Sequence, residues 1–278
     1  MSEAPIERVR AVKFEADRGG AESSEWVSVE EPLEIRVESP SQREPVRVAV
    51  TMRTPGHEHE LAVGFLCTEG IISSRDDLAR PSVRELVAQS ARSNVITVRL
   101  ARPFDPTSLQ RNFYATSSCG VCGKASIDQI ERAHPRITTA VTVARSTIEA
   151  LPAQLRAAQA QFDQTGGIHG VAVFSLANGA LVCAREDVGR HNAMDKVVGR
   201  MLLDGALPLS DCAVMVSGRL SFELVQKVAA AGAPLLCAVS APTSLAIDAA
   251  RRFGVTLIGF VRDDRCTVYA HAERVVTG

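Results

Sequence analysis

Two cysteines in the middle of the chain, Cys119 and Cys122, have the C-x-x-C spacing, and each is followed by a glycine. The glycines give the loop backbone conformations that other residues avoid, so the loop can bend tightly around its thiols. The next residues, 124–132, carry Ile127 and Ile130 among good helix formers, which predicts that Cys122 lies near a helix N-terminus. That position, beside Lys124, favours the thiolate, the reactive form of cysteine.

Three kinds of site share this spacing. A structural zinc site needs four ligands, usually from two such pairs, and the chain has no second C-x-x-C motif. In a thioredoxin-type dithiol the motif opens a helix near the start of a βαβ domain, whereas here it follows a polar loop in mid-chain. A persulfide carrier needs an exposed, mobile cysteine of low pKa, and the glycine-flanked loop suits that chemistry best. Zinc binding and dithiol exchange remain alternatives.

The other cysteines and one histidine cluster predict no further reactive site. Cys183, Cys212 and Cys237 lie in strand-like apolar runs, where a buried cysteine acts as a small hydrophobic residue. The sequence His-Glu-His-Glu at 57–60 places its histidines two residues apart, on different faces of a helix, whereas a helical zinc motif needs a spacing of four. We interpret this segment as a solvated helix start.

Length and composition limit the class of protein. A chain of 278 residues with 46% hydrophobic content is long enough for two domains with real cores. The net charge of −1 argues against a general affinity for nucleic acid or an anionic membrane. Apolar runs fall short of the roughly 18 residues that span a bilayer, and the N-terminus is charged where a secretory signal is apolar. We therefore expect a cytoplasmic protein that binds neither membrane nor nucleic acid.

The first part of the chain, 1–115, is predicted to form a small α+β domain. Residues 46–52 and 94–100 are rich in β-branched side chains and predict strands, and 60–67 predicts a helix that ends near Gly70. Residues 103–116 have the composition of a linker. The second domain, 116–278, opens with the C-x-x-C loop, and a helix is predicted over 145–162, ended by glycines at 166 and 167.

The second domain then alternates apolar strands with helices. Segments 171–174 and 180–183 predict a hairpin across Asn178-Gly179. Later strands are predicted at 212–216, 235–239, 255–260 and, at an edge, 266–270, with helices at 191–203, 222–231 and 244–253. This order favours an α/β fold with a parallel sheet and helices on both faces.

The turns that follow these strands are far more polar than the strands. In such sheets the carboxyl ends of the strands lie along one edge, where ligands bind. Hydroxyls and an arginine at presumed helix openings, Ser217-Gly-Arg219 and Thr243-Ser244, suit a phosphate. Ordinary N-capping is the alternative for any one of these turns, but four together predict an anionic ligand. The turns are 186–196, 217–219, 240–244 and 261–265.

Several segments resemble the FdhD-type formate dehydrogenase accessory sulfurtransferases. The resemblance covers most of the chain, and the eleven residues 186–196 are its most specific part. One departure is that Gly170 and Val171 follow His169, where alanines are frequent in the family. The matching segments are Ser-Ser-Cys-Gly-Val-Cys-Gly at 117–123, Thr-Gly-Gly-Ile-His at 165–169, Glu-Asp-Val-Gly-Arg-His-Asn-Ala-Met-Asp-Lys at 186–196, Ser-Gly-Arg at 217–219 and Ser-Ala-Pro-Thr-Ser-Leu-Ala at 240–246.

The resemblance implies a specific activity. Such proteins accept sulfur as a persulfide from a cysteine desulfurase and deliver it to the molybdenum bis-molybdopterin guanine dinucleotide cofactor of the formate dehydrogenase catalytic subunit. It implies that Cys119 carries the persulfide and that 260–265 contacts the cofactor. It also implies a three-layer second domain like that of cytidine deaminases, and a homodimer. We expect Cys122 to assist by resolving the persulfide into a disulfide.

The residues themselves suggest how the cofactor is held. Asp263 or Asp264 can accept the two adjacent N–H donors of guanine together, which predicts GDP as a partial mimic. The alternative is a plain polar hairpin. In 186–196, Asp187, Arg190, His191 and Lys196 predict a site scaffold, or else an internal salt-bridge network. The residues predicted to contact the cofactor are Phe260, Val261, Arg262, Asp263, Asp264, Arg265, Ser217, Arg219 and His191.

Two other functions compete with sulfur transfer. A zinc deaminase requires H-x-E and P-C-x-x-C motifs, but residue 171 is valine and serine, not proline, precedes Cys119. A chaperone that only holds the cofactor would need the same polar turns. A persulfide on Cys119 distinguishes a carrier from such a chaperone.

Overall fold

The computed structural model describes residues 4–16, 18–79, 94–105 and 136–277. The first part of the chain contains an antiparallel hairpin and a three-stranded sheet in the order β4-β3-β5. The strands predicted at 46–52 and 94–100 and the helix predicted at 60–67 are confirmed. These elements are β1 (Ile6–Glu15), β2 (Arg18–Ser28), β3 (Glu31–Glu38), β4 (Val46–Arg53), α1 (Glu58–Thr68) and β5 (Val95–Arg99).

The prediction of one helix over 145–162 is wrong, because three short helices follow strand β6 (Val143–Ala144). They are α2 (Arg145–Glu149), α3 (Leu151–Ala157) and α4 (Ala160–Thr165). Pro152 lies in the first turn of α3, where its missing N–H is tolerated, but its ring prevents α2 from continuing through it. Gln159 leaves the helical conformation, with φ −95° and ψ 69°, before α4 begins. Gly166, at φ +64°, ends α4 as predicted.

A six-stranded mixed sheet forms the centre of the molecule. Its strands lie in the order β12-β11-β10-β9-β7-β8, and the neighbours that pair in parallel are β9 with β10 and β10 with β11. The predicted parallel arrangement is confirmed for β9, β10 and β11, and the predicted hairpin across Asn178-Gly179 is confirmed as β7 and β8. Short connections at 176–180 and 263–264 make the strands at both edges antiparallel to their neighbours. The strands are β7 (His169–Ser175), β8 (Leu181–Asp187), β9 (Cys212–Val216), β10 (Leu235–Ala238), β11 (Thr256–Arg262) and β12 (Arg265–Ala270). A short strand, β13 (Val275–Val276), pairs with β6.

Helices cover both faces of this sheet, as predicted. Val171 and Val173 of β7 pack with α5 (Arg190–Leu203), α6 (Phe222–Ala230) and α7 (Ser244–Phe253). Ala172 and Phe174 alternate with them and pack with α2 and α3 on the other face. The first core continues into β3 and α1 without interruption. The division predicted at 115 lies outside the described residues, and the deaminase-like layout stays a prediction.

Helices α1 and α5 cross at two glycines. A β-carbon on Gly199 would lie 1.8 Å from the carbonyl oxygen of Glu60, and one on Gly64 would lie 1.8 Å from that of Asp195. The two backbones are therefore in direct contact, which fixes α5 against the first part of the chain. None of the helices in the described part of the chain is long and apolar enough to cross a membrane.

Candidate functional site

The polar turns predicted to converge do meet at one edge of the six-stranded sheet. Strand β8 is antiparallel to β7, which is antiparallel to β9, so β8, β9, β10 and β11 all end at this edge. Strands β7 and β12 begin there. We call this edge the rim and define it by residues 166–169, 186–191, 217–221, 240–244 and 260–265.

The first rim segment is anchored by a buried ion pair. Asp187 and Lys196 are fully buried, and the Lys196 Nζ lies 2.7 Å from the Asp187 Oδ2. Both also bind Thr54, whose amide donates to Asp187 Oδ2 at 3.2 Å and whose carbonyl accepts from Lys196 Nζ at 3.0 Å. The Thr54 hydroxyl accepts from the amide of Val188 at 3.1 Å. For Asp187 and Lys196 the structure thus shows the internal salt-bridge network.

His191 and its neighbours instead face the rim. The His191 Nε2 lies 2.7 Å from Glu223 Oε2 and 3.3 Å from Ser221 Oγ, and the ring is about one-third exposed. The hydrogen bond from His191 lowers the pKa of Glu223, against the effect of burial. Burial lowers the pKa of His169, and the positive charge of Arg190 lowers it further, so its imidazole is neutral near pH 7.

Of the two turns predicted to open helices, the turn at Thr243-Ser244 does so and the turn at Ser217-Gly-Arg219 does not. Helix α6 begins at Phe222 after Ser221, so Ser217 does not open a helix; its Oγ accepts from the amide of Gly170 at 2.9 Å. Thr243 is an N-cap whose Oγ1 accepts from the amide of Ala246 at 3.3 Å, as the capping alternative required. Arg219 is exposed at the rim.

The turn between β11 and β12 presents charge to solvent. Arg262 pairs with Arg265, leaving a two-residue turn in which both aspartates, 263 and 264, are exposed. The Arg262 Nη1 donates to the carbonyl oxygens of Val239 and Val261, at 2.7 and 2.8 Å. Phe260 has φ 52° and is 42% exposed, whereas the Val261 side chain is fully buried in the core. Of the predicted contacts in 260–265, only Val261 cannot present its side chain to a ligand.

A cavity of about 560 Å³, which the sequence did not predict, opens beside the rim. It lies between α3, α4, the start of β7 and the residues that follow β9 and β10, and Gln159 is part of its lining. A lone glutamine between two short helices gives no sequence signal, because its burial follows from the break between α3 and α4. The lining also includes Leu155, Arg156, Phe162, His169, Ser217 and Val239.

The structure tests the predictions for three of the cysteines but not for the C-x-x-C pair. Cys119 and Cys122 lie outside the described residues. Cys183, Cys212 and Cys237 are buried, as predicted. Burial raises the pKa of the Cys212 thiol to about 12, which keeps it unreactive at neutral pH. Among the residues that the structure describes, no group of three or more histidine, cysteine or acidic side chains is placed to hold a metal ion.

Comparison with known proteins identifies relatives over most of the chain. Residues 28–276 match the model of the FdhD/NarQ family. A protein of Mycolicibacterium paratuberculosis named sulfur carrier protein FdhD is 50% identical over 260 residues, covering 90% of this chain and 92% of that protein. A protein of the same name from Streptomyces avermitilis is 46% identical over 267 residues, covering 93% and 92%. A crystal structure described as a formate dehydrogenase accessory protein, from Desulfotalea psychrophila, aligns with a TM-score of 0.74 and 24% identity over 98% of this chain and 100% of that one. The Desulfotalea psychrophila protein therefore has the same overall fold as this chain.

Proposed function

Because this chain belongs to the FdhD/NarQ family, we propose that it is a sulfur carrier for the maturation of formate dehydrogenase. The observation that carries this proposal is the match, over about nine-tenths of both chains, to relatives named sulfur carrier protein FdhD. We assign the reaction to the glycine-flanked pair Cys119 and Cys122 on their sequence pattern. Of the described cysteines, Cys67, Cys183, Cys212 and Cys237 are buried, and burial raises the pKa of the partly exposed Cys266. The protein acts in the cytoplasm as a sulfurtransferase.

The proposed reaction loads sulfur onto Cys119, releases it as sulfide and then reduces the resulting disulfide. The Cys119 thiolate attacks the outer sulfur of a cysteine desulfurase persulfide, forming a Cys119 persulfide and releasing the desulfurase thiolate. The Cys122 thiol then attacks the inner sulfur of Cys119, which forms a Cys119–Cys122 disulfide and releases the outer sulfur as sulfide. The sulfide leaves with the electron pair of the broken persulfide S–S bond, and the electron pair of Cys122 forms the new disulfide bond. A dithiol reductant restores both thiols.

Cys119→Ala tests the carrier role. The variant should lose the mass increase of about 32 Da, one sulfur atom, after incubation with a desulfurase and cysteine. It should also fail to activate formate dehydrogenase while its melting temperature is unchanged. Cys122→Ala should take up sulfur but turn over slowly, and Cys266→Ala serves as a matched control. A Cys119→Ala variant that still loads and delivers sulfur would show that another residue is the carrier.

The sulfur acceptor in this proposal is the molybdenum bis-molybdopterin guanine dinucleotide, bound at the rim as a substrate. The support is chemical: Asp263 and Asp264 are exposed carboxylates suited to guanine, and Phe260 offers an exposed ring for stacking. Arg219, also exposed, suits the diphosphate. A homodimer would offer one such pocket to each guanine half.

Calorimetric titration with GDP and ADP tests the rim as a guanine site. GDP should bind more tightly than ADP, because adenine lacks the two adjacent donors that a carboxylate accepts. The double variant Asp263→Ala/Asp264→Ala should remove the difference and leave the melting temperature unchanged. Equal binding of the two nucleotides, or no binding of either, contradicts the guanine site but leaves the carrier role of Cys119 intact.

A further inference from the structure

One histidine of the rim is oriented by a carboxylate. The His191 Nε2 lies 2.7 Å from Glu223 Oε2 and 3.3 Å from Ser221 Oγ. A carboxylate only accepts hydrogen bonds, so the proton between the two groups belongs to Nε2 and the tautomer of the ring is fixed. Ser221 is the N-cap of α6 and Glu223 lies in its first turn, so the beginning of one helix sets the orientation of the ring.

The second ring nitrogen of His191 is open to a substrate. Among the residues that the structure describes, none hydrogen-bonds to Nδ1, and this nitrogen is accessible to solvent. The side chain as a whole is about one-third exposed. A histidine that has one nitrogen bonded to a carboxylate and the other open has the arrangement of a general acid or base.

The charges around the ring favour the acid. The hydrogen bond from His191 lowers the pKa of Glu223, so an ionised carboxylate faces the ring at neutral pH. A neighbouring carboxylate stabilises an imidazolium, in which both nitrogens carry a proton. Burial and the charge of Arg190 lower the pKa of His169, the other histidine of the rim, which leaves it neutral. Of the two histidines, His191 is therefore the one that has a proton to give.

The release of sulfur from Cys119 needs such a proton. In the proposed reaction the sulfur of Cys122 attacks the inner sulfur of Cys119, and the electron pair of the broken S–S bond goes to the outer sulfur. From an anionic persulfide the outer sulfur would leave as a dianion, which is a poor leaving group. Transfer of one proton to this atom converts the leaving group to hydrosulfide, which departs faster because it is less basic.

We propose that His191 is the general acid of this step, donating its Nδ1 proton to the departing sulfur, and that Glu223 is a positioning residue for the His191 ring. The products are the Cys119–Cys122 disulfide, hydrosulfide and a neutral imidazole, which recovers its proton from water. This inference rests on the proposed function, in which the sulfur of Cys119 is delivered at the rim.

Single-turnover release of sulfide tests the proposal. Protein is loaded at Cys119 with a desulfurase and cysteine, separated rapidly from both, and the sulfide that it releases without a reductant is measured. His191→Ala should load normally and keep its melting temperature, but it should release sulfide about a hundredfold more slowly, as expected for the loss of a general acid. Added imidazole should restore much of the rate, because it can supply the missing proton.

The imidazole measurement separates proton donation from a structural role. A structural histidine leaves a defect that a small acid in solution does not repair. Release by His191→Ala at the wild-type rate, or slow release that imidazole does not restore, would overturn the proposal. His271→Asn is the matched control, because His271 forms a similar pair with Glu273 beyond the end of β12, and it should release sulfide at the wild-type rate.

Glu223→Gln tests the positioning role. Glutamine keeps the size of the side chain but not its charge, so release should slow by a smaller factor than in His191→Ala, and Glu223→Asp should recover part of the rate. In a His191→Ala background Glu223→Gln should cause no further loss, because the ring that it orients is absent. Losses that multiply fully would overturn the positioning role.

Loading and release distinguish this inference from the proposed function. Cys122→Ala should load sulfur and release none without a reductant. Wild-type protein that does not load sulfur would overturn the proposed function and this inference with it. Normal loading and release by wild type, together with an unchanged rate in His191→Ala, would overturn this inference alone.

Discussion

Helix α5 takes part both in the crossing with α1 and in the rim. The charges near the crossing are buried, whereas several charges of the rim, apart from the pair of Asp187 and Lys196, are exposed. At the crossing, Lys227 Nζ lies 2.9 Å from both carboxylate oxygens of Asp195, and the pair is buried. At the rim, Arg219, Asp263 and Asp264 are exposed. Charges that are buried must be paired to be tolerated, so they fix a geometry and are not free for a ligand. Exposed charges contribute little to stability and stay available for binding.

The comparison separates residues that hold the site from residues that meet the substrate. In the sequence both kinds occur within 186–196 and look alike. The structure assigns Asp187 and Lys196 to the buried group and leaves His191 at the rim. Substitutions on the two sides should therefore have separable effects on stability and on sulfur transfer.

The largest effect is expected from Gly199→Ala. Its methyl group would lie 1.8 Å from the Glu60 carbonyl oxygen, so α1 and α5 would have to separate. We expect a loss of about 3 kcal/mol or more in the free energy of unfolding, measured by urea denaturation. Gly19→Ala, where a β-carbon meets nothing within 4 Å, is the control and should be nearly neutral. Equal stability of the two variants would show that the crossing tolerates expansion.

An intermediate effect on stability is expected when Glu60 is protonated at low pH. Burial alone would raise the pKa of Glu60, but hydrogen bonds from Arg185 and His57 outweigh it and lower the pKa to about 2, from an ordinary value of 4.5. Because the folded-state pKa is depressed, this contribution to stability is present above pH 4.5 and is lost as the pH falls toward 2.

The free energy of unfolding, measured against pH, checks this expectation. Glu60→Gln should have a shallower decline than wild type between pH 4.5 and 2, because it has no proton to take up there. Glu38→Gln removes an exposed ion pair with Arg99 and should follow the wild-type slope. If the unfolding free energies of wild type and Glu60→Gln fall in parallel with pH, protonation of groups other than Glu60 causes the loss of stability.

The smallest effect on stability is expected from His191→Ala at the rim. Its side chain is about one-third exposed and its pair with Glu223 is at the surface, so the change in unfolding free energy should be below about 1 kcal/mol. Delivery of sulfur to formate dehydrogenase should fall by a larger factor than the stability change accounts for. Glu223→Gln tests whether His191 acts through this pair. If His191→Ala lowers the melting temperature but delivers sulfur normally, His191 has a structural role and does not act on the substrate.

Periodicity made most of the fold predictable. Alternation in 46–52, the continuous apolar run in 212–216 and the helical spacing in 244–253 led to elements that the structure contains with nearly the same bounds. The helix break was missed because Pro152 was expected to fit within one continuous helix, whereas it begins a new one. The antiparallel β7–β8 pair was predictable from the Asn178-Gly179 turn. The convergence of turns at the rim followed from topology. The bonding of Ser217 to Gly170 and the burial of Gln159 depend on contacts between segments distant in the chain, which one sequence does not reveal.

Thr54 donates a hydrogen bond to Asp187 and accepts one from Val188, and these bonds join residues 133 and 134 positions apart. Such contacts close a very long loop of chain and cost much conformational entropy before they contribute, so we expect them to form late in folding. Once formed, they connect the small sheet to the end of β8, so detachment of that sheet removes the Thr54 hydrogen bonds to the buried pair of Asp187 and Lys196. In amide hydrogen exchange, we expect Thr54 and Val188 to open together, in one cooperative unit that includes the carboxyl end of β8.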